Sequence, residues 1–191
     1  MWQKLLGDSS FFLALLLFDR DVAEGYRALS CPCGGRLHRA AYPRKPRGGP
    51  WGLPEGYCLR ESFCCDREGC RRRLTPPSLR FLGRRVYLGA VVVLVSAMVH
   101  GITEKRAAEM RTLVGVSQRT LERWRKWWRG ALVKTQLWKA IGARFSPPVA
   151  EVELPGSVLT RIVGRSDPDR VMAMLELLSP LTGGSNWTVA L

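Results

Sequence analysis

Residues 115–132 read GVSQRTLERWRKWWRGAL, and the fold expected of this chain turns on them. At about 100° per residue, Arg119, Arg123 and Lys126 fall within about 60° of one another, while Leu121, Trp124 and Trp128 gather on the opposite side. A basic face backed by a bulky apolar one predicts a helix running from Ser117 towards Leu132, anchored by its tryptophans. Ser117 is a good N-cap, because its hydroxyl can accept from an amide two or three residues on. Gly115 suits the left-handed position that commonly closes a preceding helix.

Upstream, Val86 to Val99 is a near-continuous apolar run ended by His100-Gly101. Thr103 then offers a cap for a helix over Glu104 to Val114, with Ala107, Ala108, Met110 and Leu113 available to a core. Two helices joined by a tight glycine-containing turn and braced by an earlier apolar helix make the helix-turn-helix arrangement. On that reading Ser117, Gln118 and Arg119 stand at the N-terminus of the second helix, the part that meets base edges. Arginine pairs with guanine and glutamine with adenine through bidentate geometry. Thr120, Arg125, Lys126 and Arg129 would hold phosphates, with Arg123 on the same basic face. The plainer alternative is an amphipathic surface helix whose basic face is merely solvated.

Charge points the same way. The 191 residues carry 30 Lys and Arg against 16 Asp and Glu, a net of +14. Residues 31–145 hold 24 of those basic side chains and only seven of the acidic ones. A basic middle between near-neutral ends calls for a polyanionic partner, duplex nucleic acid first and an anionic membrane surface second. An apolar fraction of 46% argues against wholesale disorder, and the length argues against a large multidomain enzyme.

All six cysteines fall in residues 30–80, a stretch rich in Gly, Pro and Arg with too few large apolar residues for a core of its own. One cluster is Cys31-Pro32-Cys33-Gly34-Gly35; the other is Cys58 followed by Phe63-Cys64-Cys65-Asp66-Arg67-Glu68-Gly69-Cys70. Two short cysteine turns brought together by a hairpin supply the four soft ligands of a tetrahedral Zn2+ site. The expected set is Cys31, Cys33, Cys65 and Cys70, with Cys64 on the other side of its strand; Cys58, Cys64 and His38 remain alternatives. Gly34 and Gly69 sit where a turn could aim amides at the thiolates. The zinc is expected to be structural, since the chain has only His38 and His100 and no HExxH pattern for a catalytic site.

Between the clusters, Tyr42-Pro-Arg-Lys-Pro-Arg-Gly-Gly-Pro50 predicts an extended basic loop. Its Arg44, Lys45 and Arg47 could enter a narrow minor groove. Arg47-Gly48-Gly49-Pro50 resembles an AT-hook core that lacks the second arginine; a solvated loop with non-specific phosphate contacts is the alternative.

Residues 8–29 predict a packing helix, capped at Asp8, Ser9 or Ser10, with Phe11, Leu15, Phe18, Val22 and Tyr26 at helical spacing. Pro147-Pro148 is a break. Beyond it a short helix is expected over Leu154 to Val163, and a second capped by Asp167 with Val171, Met174, Leu175 and Leu178 as its stripe, ended by Pro180. This pair either completes the core or offers a dimer surface. Neither Phe11–Phe18 nor the roughly 15-residue run from Val86 is long enough to span a bilayer. No cleavage site follows the first. The expectation is therefore a protein of a reducing cytoplasm, associated with the nucleoid and not with membrane.

GVSQRTLERW, residues 115–124, resembles the turn and recognition helix of bacterial transposases and of resolvase-like and regulatory DNA-binding proteins. The cysteine-rich segment followed by this motif resembles the zinc-ribbon/helix-turn-helix proteins of bacterial insertion elements, over about residues 30–140. The resemblance implies binding to double-stranded DNA, as a mobile-element accessory with a transposase or recombinase partner and a possible homodimer. It does not imply strand transfer, since the 51 residues after residue 140 cannot hold a ribonuclease-H-like nuclease domain. With no carboxylate motif for two-metal catalysis and no GxxxxGK[ST] loop, the chain is not expected to be an enzyme. A transcriptional regulator and a zinc-stabilised RNA-binding or assembly module remain alternatives. The expected fold is mainly α with a small zinc-ribbon β module, a helix-turn-helix core plus flanking helices. Its segments are a packing helix (1–29), the cysteine module (30–80), the helix-turn-helix domain (81–145) and a helical extension (146–191).

Overall fold

The computed structural model describes residues 2–83, 85–99, 108, 112 and 114–183. After a 3-10 turn over Trp2–Gly7, helix α1 runs from Ser9 to Ala28. Asp8 caps it, accepting from the amides of Ser10 and Phe11 at 2.9 and 3.3 Å. Those two bonds, with the Ser10 hydroxyl foremost, hold the Asp8 carboxyl below its ordinary pKa. The buried side of α1 is Phe11, Phe12, Leu15, Leu16, Asp19 and Ala23. Its first half joins the main core and Ala23, with Tyr26, joins a smaller core around the cysteines. One helix thus packs against both cores of the molecule.

Two small antiparallel sheets follow. Strands β1 (Leu37–Arg39), β4 (Phe63–Cys65) and β5 (Arg73–Leu74) form one, in the order β1-β4-β5, with Leu37 opposite Cys65 and Cys64 opposite Arg73. Strands β2 (Tyr42–Pro43) and β3 (Leu59–Arg60) form the other. Leu37, Phe63, Cys65 and Leu74 point inward, and alternation sends His38, Cys64 and Arg73 to the other face. The whole is a mixed α/β fold in which the cysteine cluster lies beside the small sheets and helices build the larger core.

That larger core is centred on α2 (Gly89–Val99), whose Ala90 to Val95 have no exposed surface. A helix apolar on every side must be surrounded. The 3-10 turn at the N-terminus, α3 (Gln118–Lys126), α5 (Gly156–Leu159) and α6 (Asp167–Leu178) all pack on it. The helix starts later than the expected Val86. Residues 86–88 are drawn instead into extended pairing, Arg47 with Tyr87 and Phe81 with Leu88, and Val86 is left half-exposed. The expected helix over Glu104 to Val114 lies outside the described residues, apart from Ala108, Thr112 and Val114.

The α3 helix stops at Lys126, and Trp127–Leu132 continues it as a wider π-helical turn. A further helix, α4 (Gln136–Gly142), is capped by Thr135. In the C-terminal piece only four residues of the expected Leu154–Val163 helix are α-helical. The cap of α6 is Ser166 and not Asp167: its hydroxyl accepts from Asp169 N while the Asp169 carboxylate accepts from Ser166 N, a reciprocal capping box. The expected stripe of Val171, Met174, Leu175 and Leu178 is fully buried.

One buried ion pair ties the parts together. Asp19 on α1 accepts from Arg80 Nε at 2.8 Å, from Leu79 N at 2.7 Å and from the Ser78 hydroxyl. Arg80 spends its remaining donors on the carbonyls of Tyr57, at 2.6 Å, and Leu59, at 3.1 Å. Neither side chain is more than 1% exposed. This dense set of hydrogen bonds is what makes such a pair tolerable away from water.

Candidate functional site

The metal centre begins with two turns. In the first, Gly34 N bonds to Cys31 O at 2.7 Å and Cys31 N to Gly35 O at 2.9 Å. In the second, Cys70 N and Arg71 N both bond to Arg67 O. The β1–β4 ladder sets the two turns side by side. The Sγ atoms of Cys31, Cys33, Cys65 and Cys70 then all lie within 4.8 Å of one another. Cys31 and Cys70 are 3.7 Å apart and Cys33 and Cys65 3.4 Å. Zn–S bonds of about 2.3 Å in a tetrahedron give sulfur–sulfur edges of about 3.8 Å. The Cys31–Cys70 and Cys33–Cys65 pairs stand close to that size, and all four are free cysteines. This half-buried to buried cluster of four cysteines is geometrically suited to hold a structural Zn2+ ion, and it is the set the spacing of the sequence favours.

The backbone is shaped to the sulfurs. A Cβ added at Gly35 would stand 2.5 Å from Cys65 Sγ, so only glycine lets the first turn approach so closely. Amides two residues beyond three of the cysteines stabilise thiolate charge: Gly35 N for Cys33, Cys33 N for Cys31 and Arg67 N for Cys65. Gly34 and Gly69, with positive φ angles of 82° and 80°, shape the turns that carry the cysteines. At Cys33 the Gly35 amide outweighs burial, and with help from the other thiols brings the pKa down to about 6. At Cys65 burial dominates and pushes it up to about 12. At Cys31 the Cys33 amide favours the thiolate, but burial and competition from Cys33 and Cys70 leave it raised. Without a cation the cluster shares few charges among four sulfurs; a dication would let all four ionise.

The alternative ligands are elsewhere. His38 Nε2 meets Asp66 Oδ2 at 3.3 Å, Cys64 lies on the opposite face of β4 with its thiol towards Arg71 O, and Cys58 is exposed. Asp66 also accepts from Arg36 N at 2.9 Å. Burial opposes ionisation there, yet His38 and the Arg36 amide together keep its carboxyl below the ordinary value.

The α3 helix carries the second feature. Ser117 caps it, accepting from Thr120 N at 3.3 Å, and Gly115 before it has φ of 62°. Leu121, Trp124 and Trp128 are buried; Ser117, Gln118, Arg119, Arg123, Arg125, Lys126 and Arg129 are exposed to differing degrees. Thr120 departs from its expected role. It is 6% exposed, with its hydroxyl between Ser117 Oγ and Arg123 Nη2, each at 3.0 Å, so it completes the cap and does not face a phosphate.

The basic loop is divided. Lys45 and Arg47 are at the surface, but the Arg44 guanidinium donates to the carbonyls of Gly83 and Arg85 and lies 5.4 Å from the Phe81 ring centre. Arg44 is thus a structural tie. The loop is not a free arm either, because Arg47 N bonds to Val86 O at 2.9 Å and Leu88 N to Arg47 O at 3.2 Å. Tyr87, which sequence reasoning passes over, joins loop to helix. Its ring packs edge-on against Trp124, 5.2 Å between centres, and its hydroxyl donates to Gly115 O. Tyr87 thereby links the Arg47 backbone to the turn that leads into α3. Among the described residues no helix is long and apolar enough to cross a membrane. Comparison of the chain with protein-family models, curated proteins and solved structures finds no match, so its chemistry is read from its own residues.

Proposed function

We propose that this chain is a zinc-stapled protein that binds double-stranded DNA, with α3 as the reading helix. The observation that carries the reading is the segregation on α3. Arg119, Arg123 and Lys126 share an exposed face, flanked by exposed Gln118 and Arg125, on a helix whose opposite side is clamped into the core by Leu121, Trp124 and Trp128. A reading helix needs that firmness, because bidentate recognition of base edges tolerates little movement. Arg119 and Gln118 meet bases at its N-terminal end; Arg125, Lys126 and Arg129 hold backbone phosphates, and Lys45 and Arg47 extend the basic surface from the loop.

Zinc, when bound to Cys31, Cys33, Cys65 and Cys70, supplies a cross-link between two distant turns. The protein is read as a binder and not as an enzyme. Its resemblance to insertion-element proteins makes a transposition accessory the preferred setting, with a transposase or recombinase as partner and a two-fold dimer on paired half-sites. A transcriptional regulator would use the same surface. The test is competition at matched salt among duplex DNA, single-stranded DNA and structured RNA. Preference for duplex, with affinity falling steeply as salt rises, supports the reading. Preference for RNA, or no salt-dependent binding, overturns it.

A further inference from the structure

Trp51 is 98% exposed, although it lies in a loop whose backbone is fixed on both sides. Before it, Arg47 is paired to the Val86–Leu88 segment, and Gly48 presses on the core. Gly48 has φ of 85°, and a Cβ there would stand 2.9 Å from Val91 Cγ1. After it, Leu53 packs on the main core. The loop therefore holds an indole in water from a backbone that has little freedom to move. A single exposed aromatic is ordinary on a protein surface; this one is set apart by a backbone that holds it in place and by the cations exposed on the same loop.

The surroundings say what. Lys45 and Arg47 are at the surface of the same loop, and Lys4, also exposed, lines the hollow beside Gly48, Pro50 and Trp51. Arg47 is paired with Tyr87, which bonds to Gly115 at the turn leading into α3. An indole that shares a hollow with Lys4 and with Val114, just before the turn into the basic helix, on a loop that also exposes Lys45 and Arg47, is complementary to a polyanion with flat apolar surfaces inside it. We propose that Trp51 is an aromatic contact to duplex DNA, laid against base or sugar surface in the groove next to the one α3 occupies, while Lys45, Arg47 and Lys4 engage the flanking phosphates. This deepens the DNA-binding reading and rests on it.

The experiment uses the full zinc-loaded chain and sheared duplex DNA of mixed sequence. Acrylamide quenching of tryptophan emission is measured with and without saturating DNA, for the wild type and Trp51→Phe. Affinities are measured in parallel for Trp51→Ala and Trp51→Phe, with thermal melts to show that both keep their fold. DNA is expected to shield a quenchable tryptophan in the wild type, and this shielded component is expected to vanish in Trp51→Phe. Trp51→Ala is expected to lose about tenfold in affinity, and Trp51→Phe to retain most of it. A wild type that binds duplex while Trp51 stays fully quenchable, or a Trp51→Ala as tight as the wild type, overturns this proposal and leaves α3 as reader. Stronger shielding by single strands than by duplex also overturns it. A wild type that binds no duplex removes both readings together.

Discussion

The Tyr87 hydroxyl donates to the Gly115 carbonyl at 2.7 Å, across 28 residues of chain. This bond fixes the turn that precedes the basic helix to the segment that precedes the apolar one. Because the backbone around Tyr87 also pairs with Arg47 while its ring packs on Trp124, this one residue links the loop to the helix.

Tyr87→Phe tests that role. It keeps the ring on Trp124 and removes the hydroxyl, so it should cost about 1 kcal/mol of stability. Thermal melts and duplex binding measured together decide the matter. The expected outcome is a small fall in melting temperature with a larger fall in affinity, since the helix and loop lose their common reference. An affinity unchanged beside a lowered melting temperature would make the bond structural only.

The Asp19–Arg80 pair yields a second expectation. Asp19→Ala leaves the Arg80 guanidinium buried without its anion and should cost about 3–5 kcal/mol, read by urea denaturation. Replacing both, Asp19→Leu with Arg80→Met, should cost distinctly less than the two single changes added together. Additivity would mean that the two groups do not depend on each other.

Much of this was legible in the sequence. Ser117 announced the start of α3, and Asp8 was one of three candidates for the start of α1, because caps are local chemistry. Cys31, Cys33, Cys65 and Cys70 could be chosen because the four residues between Cys65 and Cys70 make a knuckle, which leaves Cys64 to the opposite face of its strand. The buried side of α3 followed from its period. What escaped notice depends on partners far along the chain. Nothing around Asp19 signals that its carboxylate meets Arg80, 61 residues away. Arg44 looks like any arginine of a basic loop until its carbonyl partners at Gly83 and Arg85 are seen. The late start of α2 has the same origin, since pairing of Arg47 with Tyr87 overrides an apolar run that would otherwise be helical.

The metal centre makes its own demands. Protein purified without added zinc should carry about one zinc per chain, and Cys70→Ser should release it and unfold residues 30–80. Alkylation of the native protein followed by mass spectrometry should label exposed Cys58 and spare the four ligands. Burial holds Cys65 and Cys31 as thiols in the metal-free cluster, so zinc displaces protons at neutral pH and metal affinity should fall steadily as pH falls, with Cys33 adding its own proton below about 6. Full labelling of all four ligands in metal-loaded protein would contradict the site.

Duplex recognition through α3 is tested most directly by a salt titration of binding by the zinc-loaded chain and two variants, using selected and scrambled sequences. Arg119→Ala should cost about 1–3 kcal/mol on the selected duplex and relax preference at one or two positions. Lys126→Ala should weaken binding to every duplex alike and lower the salt slope by about one phosphate contact. Trp124→Ala, run beside them, should lower the melting temperature first, because it removes a buried anchor. If Arg119→Ala kept its fold and left both affinity and preference unchanged, α3 would not be the reading helix, and its assignment as the DNA-binding element would be contradicted.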